Sequence, residues 1–349
     1  MFVALRDLRA ARGRFLLITL VVTMVALLVS FLSGLTAGLA HQNISALQRL
    51  SGGTVVFADT GTDPSFETSV LTGDQVQRWQ RNSEHVEPVG IGRVQAGRAD
   101  SAPAPVAVFG VTGSAFGNPV VTEPGTVVLS RAAADRLSAT TGDQVELGAQ
   151  TFTVAGIGGD DWYAHTPVVW TTLPDWQRLD PRGGAATVLI ASGVTDLDAL
   201  NEAAHTRTTS VAGSLRAIGS YQAENGSLTL MTVMLFVISA LVIGAFFTVW
   251  TIQRTPDIAT LKALGATTAQ LVRDALGQAL IVLLLGVGAG VGVTAIAGTF
   301  LAGSVPFVLS ASTTVAPALA LIGLGLLGAA FALRFLRTAD PLTALHQAR

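Results

Sequence analysis

The sequence predicts a membrane α-helical protein: four transmembrane helices, with a mixed α+β extracytoplasmic domain inserted between the first and the second. Three observations carry that prediction. The 349-residue chain is half hydrophobic and only 13% charged, with a mean hydropathy of +0.55. Three runs, Phe15 to Ala40, Asn225 to Gln253 and Ala275 to Leu333, contain no Asp, Glu, Lys or Arg. Between the first two lies a long stretch in which short β-patterned segments alternate with turn residues.

About 20 apolar residues cross a bilayer as a helix. The first two runs, of 26 and 29 residues, are therefore single spans, and the third, of 59, holds two. Its break falls at Gly303-Ser304-Val305-Pro306 and the polar Ser310 to Thr314. Charge then gives the orientation. Ten basic and four acidic residues flank the spans on one side, a net +6, from Arg6, Arg9, Arg12 and Arg14 through Arg254, Lys262 and Arg273 to Arg334, Arg337 and Arg349. The other side holds eleven basic and nineteen acidic residues, a net −8, and the two return the −2 of the whole chain. Basic residues near span ends stay cytoplasmic. The reading is a multi-pass plasma-membrane protein with both termini inside and the large domain outside.

In order along the chain, residues 1–14 form a cytoplasmic amphipathic helix, with Phe2, Val3, Leu5 and Leu8 on one edge and arginines to meet anionic headgroups. The first span is 15–41. Its apolar core far exceeds the ~7–15 residues of a signal-peptide core, so it is read as uncleaved. The extracytoplasmic domain is 42–222. Thr54 to Phe57, Pro105 to Val111, Gly125 to Leu129 and Thr151 to Ile157 read as strands. Arg131 to Thr140 reads as a helix, followed by the Thr141-Gly142-Asp143 turn into Gln144 to Leu147, and Leu197 to Arg207 as a second helix. The second span is 223–253, a cytoplasmic coupling helix 254–270, the third span 271–302, a short outer loop 303–313, the fourth span 314–334 and a cytoplasmic C-terminus 335–349.

Several chemistries are set aside. With no cysteine there are no disulfides and no thiolate chemistry. No Walker A sequence exists, and the only lysine, Lys262, follows Thr260-Leu261, so ATP would be hydrolysed by a separate subunit. Gly323-Leu324-Gly325-Leu326-Leu327-Gly328 matches GxGxxG but lies in an apolar span, where close helix contact explains it, as for Gly286, Gly288, Gly290 and Gly292. His41, His85, His165, His205 and His346 show no metal-ligand spacing, and Asp160-Asp161 reads as a solvated turn. The expectation is no enzyme, no intrinsic metal or cofactor and no nucleic-acid partner.

One constellation at the outer ends of the first two spans invites a ligand. Glu224 and Met231 are seven residues apart, about 20° from each other on a helix. Tyr221 sits one turn outside, Met24 and Phe31 share a face of the first span, and Ser30, Gly34 and Gly38 form a small-residue groove expected to face another copy. A boundary carboxylate, soft sulfurs and a slot suit a flat amphiphile bearing iron, which accepts Met, His or Tyr ligands. His41 is the next candidate. The same features also serve plain helix packing, since Met fills gaps and small residues line helix seams.

The segment Gln253 to Thr267, QRTPDIATLKALGAT, resembles the cytoplasmic coupling segment of MacB/FtsX-type ABC transporter permeases. Arg254, Asp257, Ile258, Leu261, Lys262, Leu264 and Gly265 match position by position, although the family's acidic residue is usually Glu and Pro256 replaces a residue that is often basic. The closing Asp340-Pro341-Leu342-Thr343-Ala344-Leu345 is similar to the family's ending. The resemblance implies a homodimer in membrane lipid with two copies of an ABC ATPase carrying ATP and Mg. Within the family, the compact outer domain looks most like that of the haem-exporting permeases of Gram-positive bacteria. The resemblance therefore implies haem as the transported ligand, with Glu224, Met231, Tyr221 or Met24 as possible iron ligands. Two alternatives stand beside it: a permease for a lipopeptide, antimicrobial peptide or lipoprotein, and a mechanical relay to a cell-wall hydrolase.

Overall fold

The computed structural model describes residues 12–50, 52–98, 102–113, 115–117, 121–253, 255–301 and 305–334. By contact the chain divides into two units, residues 39–226 and residues 1–38 together with 227–349. Helix α1 (Arg12–Gln48) opens the described chain, so most of the expected amphipathic helix over 1–14 falls outside the described residues. α1 continues well past its apolar run. Its last turns bury Ile44, Ala46 and Leu47 in the core of the 39–226 unit, and this burial explains a helix longer than a bilayer needs.

In the 39–226 unit, β1 (Thr54–Ala58) and α2 (Gly73–Arg81) come first. Thr72 caps α2 in a reciprocal box with Gln75, which satisfies two orphan donors of the first turn. The 15-residue β2 (Ser83–Gly97) follows, then β3 (Ala104–Val111), β4 (Thr126–Leu129) and α3 (Arg131–Leu137). α3 stops after seven residues because Ser138 turns left-handed at its end. β5 (Gln144–Leu147) and β6 (Gln150–Ile157) form the next hairpin. It is entered through the expected Gly-Asp turn, where Asp143 Oδ2 accepts from the Thr140 amide. That bond, then the Thr140 hydroxyl, and Arg98 nearby hold the Asp143 carboxyl below its ordinary pKa. β7 (Trp162–Tyr163), β8 (Thr166–Thr172), α4 (Leu173–Leu179), β9 (Val188–Val194), α5 (Leu197–Ala204), β10 (Thr206–Ser210) and α6 (Val211–Ser214) complete the unit.

Pairing runs β10-β1-β9-β2-β3-β8-β4-β6-β5. β5 returns to pair with β2 at Ala96 and Gly97, closing six strands into a ring. β2 takes part in both halves: residues 83–89 pair with β9 and residues 90–96 with β3. At the changeover Gly90 lies opposite Gly110, and a Cβ on either would strike Trp176 of α4. That bare pair is the floor on which the indole packs. Leu129, Leu137, Phe152 and Trp176 share the core of the ring. Across the other half, Trp79 and Leu200 cover one face, while on the other Phe57 and Phe66 meet edge-on and share a core with Phe109 and Trp170 from the ring strands.

The sequence reading found β1, β3 to β6, α3 and α5, but ran the first helix on to Thr140, past its left-handed end at Ser138. It did not find β2, β8 and β9, and the expected helix Leu197 to Arg207 ends at Ala204, where His205 is left-handed and β10 begins.

The remaining elements are α7 (Gly219–Gln253), α8 (Thr255–Ala263), α9 (Thr268–Leu301) and α10 (Ala311–Arg334). Among the described residues, α1, α7, α9 and α10 are long and apolar enough to cross a membrane. Close approach of small residues fixes their packing. A Cβ on Gly286 would meet Val22, one on Gly290 the Thr23 carbonyl, one on Gly325 Leu283 and one on Gly328 the Cα of Gly244. Gly288 and Gly292, by contrast, face open space, so only half of that glycine run serves close packing. The groove on α1 is a correction to the sequence reading. Gly34 and Gly38 receive Phe307 and Pro306 of the same chain, and the Val308 amide donates to the Gly34 carbonyl. Phe307 also lies against Phe31 and fills space left by Gly298. The slot expected to face another copy is occupied from within.

Candidate functional site

Glu224, on the first turns of α7, is held by side chains from two distant points of the chain. Asn43 Nδ2, near the end of α1, donates to Glu224 Oε2 at 2.9 Å. His165 Nε2 lies 3.0 Å from both carboxylate oxygens. Ser220 Oγ donates to Asn43 Oδ1 at 2.6 Å, which fixes the amide with its NH2 toward the carboxylate. Asn43 Nδ2 lies 3.0 Å from the same imidazole nitrogen, so the three side chains form one contact set. His165 and Glu224 keep 34% and 37% of their side-chain surface, leaving room for an incoming group to reach the carboxylate.

The backbone that delivers His165 is unusual. β7 and β8 pair Trp162 with Pro167 and Tyr163 with Thr166, leaving Ala164 and His165 as a two-residue turn. Both are left-handed, at φ 47° and 61°. Such turns favour Asn and Gly, and each L-residue with a side chain there costs roughly 1–2 kcal/mol. The surroundings hold the turn in place. The amides of Ala164 and His165 donate to the carbonyls of Asn43 and Gln42, each at 2.9 Å. Ser45 Oγ accepts from the Trp162 amide at 2.8 Å. Arg49 pairs with Asp161 at 2.6 Å, and Trp170 Nε1 donates to the same carboxylate. The segment Asp160 to His165 is thus fastened along the last turns of α1.

Of the residues singled out from the sequence, Glu224 alone sits in this cluster. Tyr221 packs its ring against the apolar core of the unit. His41 Nε2 instead meets the carbonyl and Oδ2 of Asp160, at 2.9 and 3.1 Å. Met24 and Met231 are 61% and 59% exposed, each on a membrane-spanning helix. The Asp160-Asp161 turn is half right: Asp160 is exposed, but Asp161 is buried in its ion pair with Arg49. Among the described residues no cluster of three or more His, Asp and Glu could hold a metal ion. Sequence reasoning missed Asn43, His165 and Ser220. Asn43 and Ser220 lie 177 residues apart, and an Ala-His turn carries no glycine signal.

The cytoplasmic motif is a short helix with a well-made end. In α8 the Ala266 amide donates to the Leu261 carbonyl and the Gly265 amide to that of Lys262, with Gly265 left-handed at φ 98°. This paired closure at a glycine explains the Ala-Leu-Gly-Ala ending. Thr267 then caps α9 together with Gln270. Leu264 is 79% exposed, an apolar side chain with nothing covering it in the single chain. Arg254 and the side chains of Asp257 and Ile258 lie outside the described residues, as does the Asp340 to Leu345 ending.

The MacB-like periplasmic core domain matches residues 15–207 and the FtsX-like permease C-terminal domain matches residues 206–341. The chain belongs to the MacB/FtsX family of ABC transporter permeases. It is 26% identical to the "Putative hemin transport system permease protein HrtB" of Staphylococcus haemolyticus, over 99% of each chain. It is 25% identical to a protein of the same name from Staphylococcus epidermidis, again over 99% of each. Of solved structures, the periplasmic region of MacB from Actinobacillus actinomycetemcomitans covers 50% of this chain and 97% of its own at 13% identity and a TM-score of 0.38, a likeness too distant to add to the sequence match.

Proposed function

We propose that this chain is the permease of a haem-efflux transporter, taking haem laterally from the membrane and releasing it outside. Full-length similarity to two chains named as hemin transport permeases carries this reading. A hydrogen-bonded but accessible carboxylate near the outer end of a span supports it, because such a group is costly to leave there without a role. Glu224 is the principal ligand contact, as an iron ligand or a partner of the haem periphery. Met231 lies seven residues further along the same helix, and Met24, Tyr221 and His41 are secondary contacts. Two such chains assemble with two ATPase subunits, and α8 with its flanking Arg254 to Gly265 segment is the docking surface.

The test is the visible spectrum of the purified chain with added haem. Wild type should give a shifted Soret band. Glu224→Ala and Met231→Ala should move that band or weaken binding by about tenfold or more, the scale of losing one good polar contact, and should raise haem sensitivity in cells. Asp63→Ala, on an exposed loop, should do neither. Wild-type spectra from both site variants would overturn the reading.

A further inference from the structure

Every partner of Glu224 described above satisfies the carboxylate without a ligand. An incoming metal centre therefore has to compete with His165 for it. We propose that His165 is a latch on the ligand-binding carboxylate. Its imidazole occupies Glu224 while the site is empty, and a metalloporphyrin whose iron takes the carboxylate displaces it, unfastening the Asp160 to His165 segment from the ends of α1 and α7. The proposal rests on the haem reading of Glu224.

Three features point to a latch in preference to a fixed support. The imidazole Nε2 meets both carboxylate oxygens at 3.0 Å, the two positions an iron would approach. It does so from a turn with two left-handed, non-glycine residues, and strain of this kind gathers where a segment switches between states. The same turn donates two backbone hydrogen bonds to the end of α1, so a change at the carboxylate reaches the helix end through a single contiguous contact set. Asn43, which faces both groups at 2.9 and 3.0 Å, keeps its hold on Glu224 Oε2 when the imidazole leaves. The carboxylate is never stripped of every donor. The exchange needs no co-reactant: a hydrogen-bond contact to the imidazole is given up, a carboxylate oxygen donates an electron pair to iron, and no oxidation state changes.

The decisive variant is His165→Asn in the full-length purified chain. Asparagine tolerates the left-handed conformation, so the hairpin is kept, but it is too short to reach Glu224. Removing a competitor that is one-third exposed should tighten haem binding by about fivefold, because apparent affinity rises as the competent state is populated. Amide exchange over residues 160–165 should quicken by about the same factor without haem, since both effects measure one latch. In wild type, haem should quicken exchange there, whereas protoporphyrin IX without iron should not. Weaker haem binding with a displaced Soret band in His165→Asn would make His165 a ligand and overturn the latch. Unchanged affinity and exchange would overturn it as well. In either case a binding loss in Glu224→Ala leaves the haem reading intact, whereas wild-type binding by Glu224→Ala removes both.

Discussion

A ring lying against bare backbone is the clearest residue-scale statement in this chain. Phe307 occupies the space a side chain at Gly34 would need, with the nearest ring atom 2.5 Å from where a Cβ would sit. Gly34→Ala should therefore destabilise the helix unit by about 1–3 kcal/mol, the usual range for overpacking a tight contact. Phe307→Ala should relieve that cost, and thermal unfolding of the two single variants and the double should be strongly non-additive. Simple addition would mean the ring does not lie in the slot. The groove itself was legible in the sequence, because small residues four apart line one helix face and leave room for a close approach. Its occupant was not, since Phe307 is hundreds of positions away and nothing in a loop of Val-Pro-Phe-Val says where it folds back. Glu224 shows the same division. Its place beside a span and its value as a lone carboxylate could be read directly, but Asn43 and His165 could not, because only the folded chain brings them to it.

At the scale of elements, the parts set by local rules were readable. The α8 ending is the best case, with glycine supplying the left-handed residue that lets two amides close the last turn. Strands with closely spaced valines, such as β3 with Val106, Val108 and Val111, were readable as well. β2 was not, because Pro88 and three glycines break its pattern; its extended form comes from partners on both edges and not from propensity. The exposed apolar end of α8 carries its own prediction. If Leu261 and Leu264 anchor the ATPase, Leu261→Asp should weaken co-purification of the two subunits and uncouple ATP hydrolysis from efflux, since losing a central apolar anchor commonly costs ~1–2 kcal/mol or more. Full transport with this variant would remove α8 from the interface.

For the whole molecule, the absence of cysteine makes orientation directly measurable. Single cysteines introduced at Glu202, Ala269 and Ala344 should separate cleanly under a membrane-impermeant maleimide. If the charge asymmetry sets the orientation, Glu202 is outside and the other two inside, so intact cells should label only the first and permeabilised cells all three. Labelling of Ala269→Cys in intact cells would invert the topology.

β2 carries one further consequence. Because its first seven residues belong to one set of pairings and its next seven to another, neither half of the outer domain can be sheared without bending the same strand. A pull applied at the turn beside α1 would be borne by both halves at once, as a load is shared by two walls keyed to a common beam. Under force the domain should then yield in a single step, where two independently hung sheets would give two.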